Sequence, residues 1–200
     1  MIDWHIILAA IAAILSFASV VPYVRDILYG TTRPNTITWF LWLFIQGIAI
    51  AAQFSEGASW SIIMVIADGI TIMLVLVLSV IGYGYREWNA FDVVCGILGI
   101  VAIVAWQITG DAILALILSV VADALAAAPT IRKAYSDPWS ENPTGWAFTA
   151  VAAVFGVLST TSWNTANLLF PGYLALINGL TFTLAYFGRR SHRKPKTGEF

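Results

Sequence analysis

Charge is what this 200-residue chain has least of. Only 10% of its residues are charged and 60% are hydrophobic, with a mean hydropathy of +0.83. Soluble domains carry about 25% charged residues, so the deficit excludes an ordinary soluble domain and places the chain in a bilayer. Cysteine is nearly missing too. Cys95 stands alone in an apolar run, which rules out an internal disulfide and reads as a small buried hydrophobe. Histidine is confined to His5 and His192, near the two ends. There is no His-Glu-x-x-His, no pair of cysteines and no Gly-x-Gly-Asp. Metal hydrolysis, nucleophilic triads and intramembrane aspartyl proteolysis therefore lack the residues they need. Every Lys lies at the face expected to be cytoplasmic and none at mid-membrane depth, which excludes a retinal Schiff base. An enzyme is not expected, nor are a cofactor, a metal or a nucleic-acid partner. The opening MIDWHIILAAIAAIL has no basic n-region and its apolar run continues to Pro22. It reads as the start of a helix, not as a cleaved leader.

What the chain does have is seven apolar segments, near residues 5–29, 36–54, 59–84, 91–109, 112–134, 143–160 and 167–188. A helix needs about 20 residues to cross roughly 30 Å of hydrocarbon. Barrel strands would alternate apolar and polar residues, which these runs do not. The expected fold is an all-α membrane protein of seven transmembrane helices. All ten Lys and Arg fall between helices 1 and 2, 3 and 4, 5 and 6, or in the tail after helix 7. By the positive-inside rule the N terminus is outside and the C terminus cytoplasmic, in a plasma (inner) membrane. The tail RRSHRKPKTGEF reads as a topological anchor with an affinity for anionic lipid. Trp4, Trp60, Trp88 and Trp163 read as interfacial belt residues.

The chain also repeats itself. VVPYVRDILYGTTRPNTITW, from residue 20, aligns without gaps on AAPTIRKAYSDPWSENPTGW, from residue 127. Pro22 meets Pro129, Arg25 meets Arg132, Asn35 meets Asn142 and Trp39 meets Trp146, each 107 positions apart. Further on, ADGITIMLVL parallels INGLTFTLAY at an offset of 110, so Asp68 meets Asn178 and Thr71 meets Thr181. The expected organisation is a first three-helix unit at 1–84, a linker helix at 85–110, a second three-helix unit at 111–188 and a basic tail at 189–200. A single intervening helix makes the two units run in the same direction, as parallel repeats. Pro22 and Pro129 each remove a helix hydrogen bond. They serve either as a matched pair of hinges or as ordinary membrane-helix kinks.

These features resemble the PQ-loop superfamily, and in particular its seven-helix branch, the SWEET sugar transporters. The resemblance rests on SVVPYVRDILYGTTRPNTITW and AAAPTIRKAYSDPWSENPTGW: a Pro in the first helix of each repeat, a basic polar loop, then a small polar start to the next helix. It implies three helices, a linker and three more, with a small polar solute held at the midplane and moved by alternating access. The Gln of the family's Pro-Gln pair is Tyr23 in one unit and Thr130 in the other. Of the family's substrate-holding Asn pair, Asn178 is present and Asp68 stands in the other place. Two further readings stay open. One is a vitamin or nucleoside carrier resembling the nicotinamide riboside transporters, and the other is a non-transporting receptor of the same fold.

Buried polar residues complete the expectations. Asp68 and Asp123 fall near the middle of helices 3 and 5, where a charge costs about 2.5–3.5 kcal/mol on insertion scales. Either they exchange protons and couple transport to them, or they hold a cationic solute or sodium ion, or they are neutral structural groups. The candidate substrate-binding set is Asp68, Asn178, Asp123, Thr71 and Thr181. Gln46, Gln53, Gln107, Ser16, Ser19 and Ser119 are further inward candidates. Tyr23, Arg25, Arg132, Trp39 and Trp146 are gate candidates. Arg25 and Arg132 would pair with Asp26, Asp137 or Glu141 in a closed gate, or simply anchor the topology. Trp39, Trp42 and Trp146 would cap the inner end of a solute path, or join the belt. A small-molecule substrate and the lipid bilayer are the expected partners, and a homo-oligomer stays open.

Overall fold

In a computed structural model, residues 3–85 and 90–191 are described. Arg86, Trp88 and the tail from residue 192 lie outside the described residues, as does the side chain of Cys95. The secondary structure of the described residues is helical throughout: α1 (Trp4–Leu28), α2 (Thr36–Ser55), α3 (Ile62–Leu78), α4 (Ala90–Thr109), α5 (Ala112–Ser136), α6 (Pro143–Leu158) and α7 (Thr165–Ser191). Lipid explains why. Without water to satisfy them, backbone groups must bond within their own segment. α1, α2, α5, α7 and the run Ile62–Tyr83 are long and apolar enough to cross a membrane. By length and composition this is an integral membrane protein. At 16 residues, α6 is shorter than a full crossing requires.

The helix starts follow the repeat. Asp3 and Asp111 cap α1 and α5, accepting from His5 N at 2.9 Å and from Ile113 N at 2.9 Å. Asn35 caps α2 through Ile37 N at 3.1 Å, and Asn142 caps α6 through Gly145 N at 2.7 Å. Each cap satisfies a backbone donor that the first helical turn leaves open. The duplicated Asn of the motif is thus a helix start, and the duplicated Trp lies one turn into that helix. Pro22, Pro129 and also Pro171 lie inside α1, α5 and α7. Their rings leave Ala18, Leu125 and Asn167 without the usual backbone donor four residues on. α3 ends in a wider π turn, Ser79–Tyr83, where Gly82 takes φ +130°. There the Thr36 and Ser79 hydroxyls meet at 2.5 Å and tie the end of α3 to the start of α2.

The packing order repeats as well. α3 packs against both α1 and α2, and α7 against both α5 and α6. Across the middle, α1 meets α6 and α2 meets α5, while α4 lies mainly against α5. Buried positions are rich in alanine, among them Ala9, Ala12, Ala49, Ala115, Ala122 and Ala152. Small residues let helix backbones approach where lipid removes the hydrophobic driving force between helices. Gly145 marks a close approach of α1 and α6, where a Cβ would meet Ser19 O at 3.1 Å. Large apolar side chains such as Ile14, Val21, Val80 and Leu176 point outward, as a lipid-facing surface requires.

Candidate functional site

The centre of the bundle holds a cavity of about 50 Å³, lined from α1, α2, α3, α5, α6 and α7. Each helix contributes by its own periodicity. Trp39, Trp42 and Gln46 follow at three- and four-residue steps on α2, so one face turns all three inward. Ser19 and Tyr23 do the same on α1, and Leu174 and Asn178 on α7. Trp39 and Gln46 are separated by about 10 Å along the helix axis at 1.5 Å per residue. The cavity therefore has an aromatic end and a polar end.

At the polar end lie Asp68, Asp123, Asn178 and Thr71. Asp68 is 6% exposed and Asp123 3%. Asp68 Oδ2 accepts from Gln46 Nε2 at 3.3 Å, and the same amide also donates to Val65 O at 2.8 Å. Asp123 Oδ2 accepts from the Tyr173 hydroxyl at 2.7 Å. Neither carboxyl belongs to an ion pair among the described residues. The Asn178 amide donates to Leu174 O at 2.7 Å, and the Thr71 hydroxyl to Asp68 O at 2.8 Å. Thr181, the repeat partner of Thr71, bonds back to Ile177 O at 2.9 Å and lies away from the cavity lining.

At the aromatic end, Tyr23, Trp39, Trp42 and Trp146 touch one another. Five of their six ring pairs have centroids 5.2–6.4 Å apart. Three of those pairs meet nearly at right angles, at 74–82°, the edge-to-face arrangement that ring quadrupoles favour. Beyond them sits Glu141, 1% exposed. Its Oε2 accepts from Trp146 Nε1 at 3.0 Å and Tyr23 Oη at 3.3 Å, and its Oε1 pairs with Lys133 Nζ at 2.6 Å. Arg189 holds the same loop by donating to Glu141 O at 2.6 Å and Pro138 O at 3.1 Å. Asn142 Nδ2 reaches across to Pro22 O at 3.3 Å and to the Asp26 carboxylate.

At the opposite end Ser59 joins the two halves. Its backbone N–H donates to Asn167 Oδ1 at 3.2 Å, and its hydroxyl accepts from Thr161 N at 2.9 Å. Hydrogen bonds between the first three helices and the last three thus flank the cavity on both sides.

Of the residues singled out from sequence, Asp68, Asp123, Asn178, Thr71, Tyr23, Trp39 and Trp146 come together around one space. Pro22 and Pro129 lie outside its lining, in helices that border it. Arg25 pairs with its neighbour Asp26 at 3.0 Å, well exposed. Glu141 is taken by Lys133, one position along from Arg132. Tyr173 and Thr149 were not singled out. Thr149 had a signal, since it is the repeat counterpart of Trp42, 107 positions on. No protein-family model matches the chain, and neither a curated protein nor a solved structure is found similar to it.

Proposed function

We propose that this protein is a membrane transporter that moves a small polar solute by alternating access, in the manner of the SWEET and PQ-loop proteins it resembles in sequence. One observation carries the reading. A central cavity that holds two buried carboxyls among aromatic and aliphatic side chains is lined from both three-helix units and flanked at each end by hydrogen bonds between those units. A cavity between two repeats, bridged on both sides, suits a carrier that holds its solute between them. Opening one end requires parting Tyr23 and Trp146 from their shared contact with Glu141. Opening the other requires parting Ser59 from Thr161 and Asn167.

The finer architecture follows the same reading. Helices α1–α3 and α5–α7 are the two parallel units and α4 is the linker. The N terminus is outside and the basic end faces the cytoplasm, in a plasma membrane. The repeated packing order, with α3 and α7 each touching both helices of its own unit, supports this division. Rocking about Pro22 and Pro129 would exchange the open ends.

The test is a thermal-stability screen of the purified protein against sugars, nucleosides, vitamins, amino acids and amines, followed by uptake into vesicles. A ligand that binds only the native state raises stability by mass action. A stabilising ligand whose effect is lost in both Asp68→Asn and Asn178→Ala, and which accumulates in vesicles, is the expected outcome. A ligand that binds without crossing would turn the reading towards a receptor.

A further inference from the structure

We propose that the solute is a small organic cation: an alkylammonium whose charge lies between Asp68 and Asp123, and whose carbon atoms meet the faces of Tyr23, Trp39, Trp42 and Trp146. The inference rests on the transporter reading and names its substrate class.

The charge inventory points this way first. Two residues of the lining are carboxylates and none is Lys, Arg or His. Each carboxyl accepts one hydrogen bond from a neutral side chain, whereas a carboxylate offers about four acceptor positions. Two such groups at one cavity in a low-dielectric bundle must be met by protons or by a cation, and the rings beside them favour the cation. The aromatic end calls for the same. Ring faces attract cations, the indole most strongly, and rings set at 74–82° to one another turn faces in several directions.

A second, independent observation concerns Trp42. Its Nε1 is buried, is turned towards Asp123 and stops short of a full hydrogen bond to any side chain. An unfilled buried donor is costly, and an oxygen on the solute fills it. An amino alcohol supplies both features, a cationic nitrogen and an acceptor oxygen. The space is also small. About 50 Å³ compares with roughly 300–1,000 Å³ for pockets that hold drug-sized ligands, so the solute has few heavy atoms. A bare sodium ion matches less well, because much of the lining is carbon and indole, not oxygen.

The experiment uses the full chain in vesicles. Tryptophan fluorescence reports binding, and isotope uptake reports movement. The probes are ethanolamine, choline, the uncharged tert-butyl analogue of choline, glucose and sodium. Ethanolamine or choline should bind and cross while the uncharged analogue does neither. Asp68→Asn and Trp146→Leu should each weaken binding roughly tenfold or more. Should the Asp variant fail to fold, Trp146→Phe, which keeps an aromatic face, should retain binding that Trp146→Leu loses. Binding of the ammonium probes without uptake would uphold the cation site and overturn the transporter reading. Uptake of glucose or the uncharged analogue, with no binding of either amine, would overturn the cation while leaving the transporter standing. Binding of sodium alone, or of no probe, would overturn the proposal.

Discussion

Asp68 is the residue on which the cavity's chemistry turns. It shares the lining with one other carboxyl, Asp123, and one phenol, Tyr23, while Tyr173 donates to Asp123 from behind. Protons and a cationic solute compete for the same carboxylates. Binding should therefore tighten as pH rises, because fewer protons then have to be displaced. Asp68→Asn should flatten that dependence while leaving the helical circular dichroism unchanged. A variant that kept the wild-type profile would remove Asp68 from the site. The capping residues give a second prediction at this scale. Asn35→Ala should cost about 1 kcal/mol of stability, as cap losses do. Asn142→Ala should cost more, because the same side chain also reaches Pro22 O and Asp26. Thermal melts of the two variants side by side would decide it.

Among the elements, α1 and α5 are the ones that both repeat a proline and border the cavity. Pro22→Ala restores a backbone donor for Ala18 O, which should add about 0.5–1.5 kcal/mol. If the kink serves movement, the variant should melt higher and exchange solute more slowly. Equal exchange with a higher melt would make Pro22 a bend without a duty. Much at this scale was legible in the sequence. Lipid forces apolar runs into helices, and short polar residues must cap them, so runs and repeats together marked nearly every helix. Contacts set by rotation about a helix axis were harder to read. Lys133 and Arg132 are adjacent and alike in charge, yet turned about 100° apart, and only the packing of α5 decides which one meets Glu141. The Tyr173–Asp123 bond spans 50 positions, and the ring cluster draws on three helices. No local pattern announces either.

For the molecule as a whole, the contacts around Glu141 tie α1 and α5 to the loop before α6. Lys133→Met would leave Glu141, 1% exposed, as a buried carboxylate without its cation. Such losses cost about 3–5 kcal/mol. Glu141→Gln would leave Lys133, whose side chain is 21% exposed and can turn to water. The Lys variant should therefore be the less stable of the two in thermal unfolding. Melts in the opposite order would mean that Glu141 is held by its hydrogen bonds to Tyr23 and Trp146 more than by charge.

The same contacts set the two halves apart. Moved back by 107 positions, Lys133 falls on Asp26, Glu141 on Pro34, and Tyr23 is matched by Thr130. One copy brings the acid and the base, and the other brings the phenol that meets them. Two copies of the first half would have no such clasp, and two copies of the second would lack the phenol that meets it from across the bundle. The duplication is still visible in the caps and prolines, but its halves have become lock and key, and neither could any longer be replaced by its twin.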